Sequence, residues 1–153
     1  MFNNSKQTFF ILMGIQASGK TTFAHRFLSE YEYISLDQLN TRNKEQKALE
    51  NVLQGGLSLV VDNTNPTKAD RKKYLDLAKA KGYNVVGLYF RSAIEECSQR
   101  NKQRTGKFQV PLKAILATAK RLEQPSCAEG FDKLYYVKIK DSDFAVSKWD
   151  ETL

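Results

Sequence analysis

Five apolar blocks recur along the chain, and polar sequence with helical spacing separates them. Phe9 to Met13, FFILM, is a continuous apolar run of the kind that fills a strand buried on both faces. Thr22 to Tyr31 then sets Phe23, Phe27 and Leu28 at helical spacing. Tyr33 to Leu36 reads as a second strand, and Asp37 begins a polar helix through Leu39, Leu49, Val52 and Leu53 that Gly55 and Gly56 end. Leu57 to Val61 is a third strand closed by Asp62. The turn Asn63-Thr64-Asn65-Pro66 follows, with Asn65 placed to cap and Pro66 to open a helix that reaches Lys81 before Gly82 stops it.

Asn84 to Phe90 is the fourth strand, and Ser92-Ala93-Ile94-Glu95 has the form of a capping box opening a helix toward Arg100. Apolar periodicity then lapses from Arg100 to Gln109, RNKQRTGKFQ, which carries four basic residues. Val110-Pro111 starts another helix through Ile115, Leu116 and Leu122, and Leu134 to Ile139 supplies the fifth strand. Strands alternating with helices in this way predict an α/β fold: an open, mostly parallel sheet of about five strands with helices on both faces. Ligands then bind at the carboxyl ends of the strands.

The chemistry is concentrated where the first strand meets the first helix. Gly14 to Thr22, GIQASGKTT, fits G-x-x-x-x-G-K-T, the P-loop, in which backbone N–H groups cradle phosphates, a lysine reaches the terminal phosphates and a hydroxyl ligates Mg²⁺. Both structural flanks that this mechanism requires are present. Gly14, Ile15, Gln16, Ala17, Ser18, Gly19, Lys20, Thr21 and Thr22 are therefore the expected ATP-binding residues, with Lys20 on the β- and γ-phosphates and Thr21 on Mg²⁺. Asp62, at the end of LSLVVD, is either a second Mg²⁺-directed carboxylate or a turn aspartate. Asp37, at the end of the second strand, either faces the P-loop crevice as a general base for an attacking hydroxyl or caps the helix after it. Arg100 and Arg104 lie four apart near a Thr105-Gly106 break, as in a mobile lid over residues 100–109 that closes on the transferring phosphoryl group; a solvated basic loop is the alternative. Arg71 either structures the sheet edge or approaches phosphate. The lone His25 is given no role.

Composition narrows the setting. The 153 residues suit one domain, 1–153, with its core over about 9–140. The apolar runs fall short of the ~18 residues a membrane helix needs, and MFNNSKQ lacks the parts of a signal peptide, so a cytoplasmic protein without a membrane partner is expected. Cys97 and Cys127 have no metal-ligand spacing and are expected reduced. A net charge of +7 suits a polyanionic partner, though ATP alone would account for part of it. The oligomeric state is left open.

Taken together, these segments resemble the 5′-hydroxyl polynucleotide kinases. The resemblance runs from Phe9 to Ile139 through GIQASGKTT, ISLDQL, VVDNTNPTKADRKKY, QRNKQRTGKFQVP and EQPSCAEGFDKL, and the DNTNP and E-x-P-x-x-x-E-G-F segments are more specific than the P-loop. It implies a catalytic set in which Asp37 is the general base, Lys20 and Thr21 hold phosphate and Mg²⁺, and the lid residue Arg104 contacts the donor phosphates. It also implies ATP-dependent transfer to the 5′-hydroxyl end of DNA or RNA. One departure stands out: this chain has Leu36 and Asn40 where family members commonly place an acceptor-binding arginine, and Arg42 is the candidate to replace it. The phosphatase or ligase modules often joined to such kinases are not expected in a chain of this length. Two alternatives stay open, a P-loop kinase of a nucleoside, sugar or antibiotic hydroxyl and a non-catalytic nucleotide-dependent binding module.

Overall fold

The computed structural model describes residues 7–151, the Lys107 side chain excepted, so the reading of the first six residues lies outside the described residues. Strands β1 (Thr8–Met13), β2 (Glu32–Ile34), β3 (Leu59–Asp62), β4 (Asn84–Phe90), β5 (Lys133–Lys140) and β6 (Asp143–Lys148) form one sheet in the order β2-β3-β1-β4-β5-β6. The first five run parallel and β6 is antiparallel to β5. Helices α1 (Lys20–Phe27), α2 (Leu36–Leu39), α3 (Arg42–Gln54), α4 (Lys68–Ala80), α5 (Ile94–Lys102) and α6 (Leu112–Arg121) connect and cover the strands.

The FFILM run lies between two layers because successive side chains of a strand point to opposite faces. Phe9, Ile11 and Met13 pack with Leu49 and Leu53 of α3 and Tyr74, Leu75 and Ala78 of α4. Phe10 and Leu12 pack on the other face with Phe23 and Ala24 of α1 and with Leu28 just beyond it. A third cluster, Ile15, Ala17, Cys97 and Ile115, seats the P-loop on α5 and α6. The central strands thus hold the carboxyl ends of β1, β2 and β3 side by side, where the chemistry-bearing residues emerge.

Several expected boundaries move, each for a local reason. The sheet has a sixth strand, made by a two-residue turn at Asp141 and Ser142, both with positive φ (53° and 62°), the backbone that a tight hairpin requires. β2 ends at Ile34, and Asp37 lies in the first turn of the short helix α2 because the Ser35 hydroxyl accepts the Asp37 N–H. The expected single helix breaks at Asn40 (φ 71°), and Thr41 caps α3 afresh. Asn65 and Pro66 do not start α4; Thr67 does, in a capping box with Asp70. The Ser92 capping box is likewise absent: Ala93 occupies the N-cap, and the Ser92 hydroxyl accepts the Ile15 N–H and donates to the Phe90 carbonyl. α5 continues to Lys102, so residues 100–102 are helical and only 103–109 lies outside the α-helix, with a 3-10 turn at Gly106–Phe108.

Candidate active site

β1 delivers the P-loop. Gly14 (φ 150°) and Gly19 (φ 101°) adopt backbone that side chains disfavour, and a Cβ on Gly14 would meet the Ser18 Oγ at 2.9 Å. Gly19 caps α1 with no side-chain hydrogen bond. The first-turn N–H groups of that helix are the kind of donors that phosphate accepts. Lys20 Nζ is folded back onto the loop, donating to the carbonyls of Gly14 and Ile15, both at 2.9 Å. Burial brings its pKa down to about 8, against the opposing pull of Asp62. Asp37 also favours the Lys20 ammonium, and Arg104 disfavours it, both more weakly than Asp62.

β3 ends on Asp62, whose Oδ2 accepts the Thr21 hydroxyl at 2.7 Å and the Tyr33 hydroxyl as well. The Tyr33 phenol is held well above its ordinary pKa by burial and by that carboxylate. Two oxygen donors from α1 and β3 therefore face each other beside the P-loop, a donor set suited to Mg²⁺. Among the described residues no cluster of three or more His, Cys, Asp or Glu side chains forms a metal site of its own.

The residues after Asp62 brace the loops around it. The Gly14 N–H donates to the Thr64 carbonyl at 3.0 Å, and the Asn65 amide donates to the Leu12 carbonyl at 2.7 Å. Asn63 spans two elements: its Oδ1 accepts the Leu36 N–H at 2.9 Å, directly before Asp37, and its Nδ2 donates to Glu45 Oε2 at 2.8 Å. The Tyr74 hydroxyl donates to the same Glu45 oxygen at 2.9 Å. Burial alone would raise the Glu45 carboxyl, but hydrogen bonds from Asn63, Tyr74 and Lys73 bring it below the ordinary range. Asp37 itself is exposed on α2.

Arg71 does not approach the phosphate loop. It is fully buried on α4, donating to the carbonyls of Asn65, Pro66 and Glu123 and pairing with both oxygens of Glu129. Arg71 thus fastens the DNTNP turn to the EQPSCAEGF segment. His25 lies exposed with its ring 5.0 Å from that of Tyr33.

On the other side of the P-loop, Arg100 and Arg104 part company. Arg100 Nε donates to the Ala17 carbonyl at 2.7 Å, and its Nη2 contacts the Cys97 Sγ at 3.3 Å. Arg104 makes one exposed bond, to the Phe108 carbonyl at 3.3 Å. Both line a cleft of about 310 Å³ with Gly19, Arg26, Ile139 and Phe144. Arg42 lies at the start of α3, donating to Glu45 Oε1 at 3.2 Å and the Tyr74 hydroxyl at 3.3 Å. Sequence reasoning missed Asn63, Glu45, Tyr33 and Tyr74. Asn63 was visible inside DNTNP, whereas Glu45 carried no local signal.

A six-strand, mostly parallel sheet with a P-loop after its first strand, an aspartate shortly after its second and another ending its third has the P-loop kinase fold. A family model described as AAA domain matches residues 9–125, and the chain belongs to that family. It is 31% identical over 139 residues to the bifunctional polynucleotide phosphatase/kinase of Schizosaccharomyces pombe, covering 88% of this chain and 34% of that protein. A putative bifunctional polynucleotide phosphatase/kinase of Acanthamoeba polyphaga mimivirus is 34% identical over 87 residues, covering 56% and 21%. The chain spans about a third or less of these curated relatives. The Chaetomium thermophilum Kti12 structure in complex with ADP-AlF3 shares the fold at TM-score 0.64 and 19% identity, covering 94% of this chain and 92% of that one. A gluconokinase from Sinorhizobium meliloti does so at 0.60 and 19%, covering 88% and 83%. Among the described residues no helix is long and apolar enough to cross a membrane.

Proposed function

We propose that this kinase transfers the γ-phosphate of ATP to the 5′-hydroxyl end of a DNA or RNA strand. The observation that carries the reading is the P-loop with Lys20 Nζ on its own carbonyls and the Thr21 hydroxyl on Asp62 at 2.7 Å, beside the strand ends from which Asp37 and, on the other side, Arg104 follow. Phosphoryl transfer needs positioning and charge neutralisation more than covalent chemistry, and these residues supply both. Lys20 leaves the Gly14 and Ile15 carbonyls for the donor's β- and γ-phosphates, and Arg104, bonded to the exposed Phe108 carbonyl, folds onto the same charge. Thr21 and Asp62 hold Mg²⁺, which supplies further neutralisation of the phosphate oxygens. Exposed Asp37, its turn pinned by Ser35 and Asn63, accepts the proton of the attacking hydroxyl. Arg100 stays on the P-loop and shapes the cleft that receives the nucleoside. Arg42 meets the acceptor.

The curated relatives' names and the net charge of +7 support a polynucleotide acceptor. The test offers γ-labelled ATP in parallel to 5′-hydroxyl DNA, 5′-hydroxyl RNA, nucleoside 3′-monophosphates, free nucleosides and sugars. Label should enter the oligonucleotides. Label confined to a nucleoside or sugar at low salt would replace the acceptor while keeping the kinase, and no label in any acceptor, with ATP still bound, would leave a nucleotide-dependent binding module.

A further inference from the structure

Glu45 is an acid that the phosphotransfer chemistry does not use, and its surroundings are unusual. Its side chain is 1% exposed, yet two cations from different helices converge on one of its oxygens. Arg42 Nη1 from α3 and Lys73 Nζ from α4 each stand 3.2 Å from Oε1. The other oxygen, Oε2, is fully occupied by the buried network of Asn63 and Tyr74. One cation balances the single negative charge of the carboxylate. The second leaves this spot with a surplus positive charge.

Both cations remain open to solvent, with side-chain exposures of 62% for Arg42 and 43% for Lys73. They are also held in place. Arg42 is tied to the Tyr74 hydroxyl as well as to Glu45, and the Lys73 ammonium rides 4.7 Å above the centroid of the Tyr74 ring. A buried carboxylate that fixes two exposed cations within a phosphate's span of each other removes much of the rotamer entropy that binding an anion would otherwise cost. The place is defined too, because Asn63 carries the Glu45 network to the N–H of Leu36, the residue before Asp37.

We infer that Arg42 and Lys73, gathered on Glu45, form a clamp for the acceptor's first internucleotide phosphate. The inference rests on the proposed acceptor reading and adds Lys73, on α4, as a residue that selects phosphate-bearing acceptors over free nucleosides. With the terminal hydroxyl at Asp37, the clamp is assigned to the phosphate on the 3′ side of the same nucleotide. Glu45 ties the clamp and the Asp37 turn to one buried group, so that binding at one orders the other.

Lys73→Met and Lys73→Arg test this, by steady-state transfer and by anisotropy of a labelled single-stranded 5′-hydroxyl oligonucleotide. Lys73→Met should raise KM for oligonucleotide and for nucleoside 3′-monophosphate about tenfold, the scale of one lost charge-assisted hydrogen bond. KM for ATP and for a free nucleoside should move less than about twofold, and Lys73→Arg should recover most of the loss. In anisotropy, the slope of log affinity against log salt should shallow by about 0.7, one neutralised phosphate of a single strand. Wild-type KM and salt slope in Lys73→Met would overturn the clamp, as would equal losses for nucleoside and nucleoside monophosphate. If wild-type protein labels no oligonucleotide, the acceptor reading fails on that result. Anisotropy then decides the clamp alone: weakened binding by Lys73→Met keeps it as an anion site, and unchanged binding removes it.

Discussion

Arg71 on α4 and Glu129, 58 residues further along the chain, form a buried pair with contacts of 2.9 and 3.2 Å. Glu129 also accepts the Ser126 N–H, so one carboxylate organises its own turn while it neutralises the guanidinium. Burial lowers the Arg71 pKa, and Glu129 counters that effect. Breaking such a pair from one side leaves an uncompensated buried charge, at a cost of about 3–5 kcal/mol. Glu129→Ala should therefore lower the urea midpoint by a large fraction of the total stability. A midpoint within error of wild type would show that this pair does not hold the two segments together.

Lys20 makes pH a probe of the P-loop. Its folded pKa of about 8 lies below the ordinary 10.5, so between those values the unfolded chain binds more protons than the folded one. Stability attributable to Lys20 therefore rises as pH climbs from about 8 to 10.5. Phosphate binding favours the ammonium, so ATP affinity should move in the opposite direction and weaken above pH 8. Calorimetric titration with ATP from pH 7 to 10 checks this, with Lys20→Met as the variant in which both trends flatten. An ATP affinity independent of pH in the wild type would contradict the assignment.

The sequence displayed the P-loop and the sheet because their signals are local. FFILM, GIQASGKTT and the apolar run Asn84 to Phe90 each declare their structure within a few residues, and β4 runs over the same residues as expected. What stayed hidden depended on partners far along the chain. Ser92 looked like a helix cap, but its hydroxyl is claimed by Ile15, 77 residues earlier. β6 carries only a half-buried pattern and turns through Asp-Ser in place of the glycine that usually marks such hairpins. Arg71 could be read either way until Glu129 was found beside it. Within the candidate site, Lys20, Thr21 and Asp62 stood out in the sequence as candidates, and the fold sets the Thr21 hydroxyl on Asp62. The grouping of Asn63, Glu45 and Tyr74 behind Asp37 needed three dimensions.

Asn63 pins the Asp37 turn through one hydrogen bond to the Leu36 N–H. Asn63→Ala should release that turn and lower kcat about tenfold, while ATP affinity, which depends on the P-loop, changes less than about twofold. Equal losses in kcat and ATP affinity would instead mean that the whole β3 end had shifted.

Arg100 and Arg104 should separate by what they fail to do. Arg104→Ala removes one exposed carbonyl contact, so its melting temperature should stay close to wild type, within the ~0.5 kcal/mol typical of surface changes, while turnover falls about a hundredfold or more. Arg100→Ala strips a partner from the Ala17 carbonyl and should cost about 1–3 kcal/mol in stability. A large melting-temperature loss in Arg104→Ala would assign that residue to the fold.

The most direct measurement compares wild type with Asp37→Asn for single-turnover transfer of γ-phosphate from ATP to a 5′-hydroxyl oligonucleotide, with ATP affinity measured alongside. The side chains are nearly isosteric and Asp37 is exposed, so folding and ATP binding should be retained. Loss of the carboxylate proposed to accept the hydroxyl proton should slow transfer by about 10²-fold or more. Transfer by Asp37→Asn at the wild-type rate would contradict the account, because the active site would then be running without the base around which it is built.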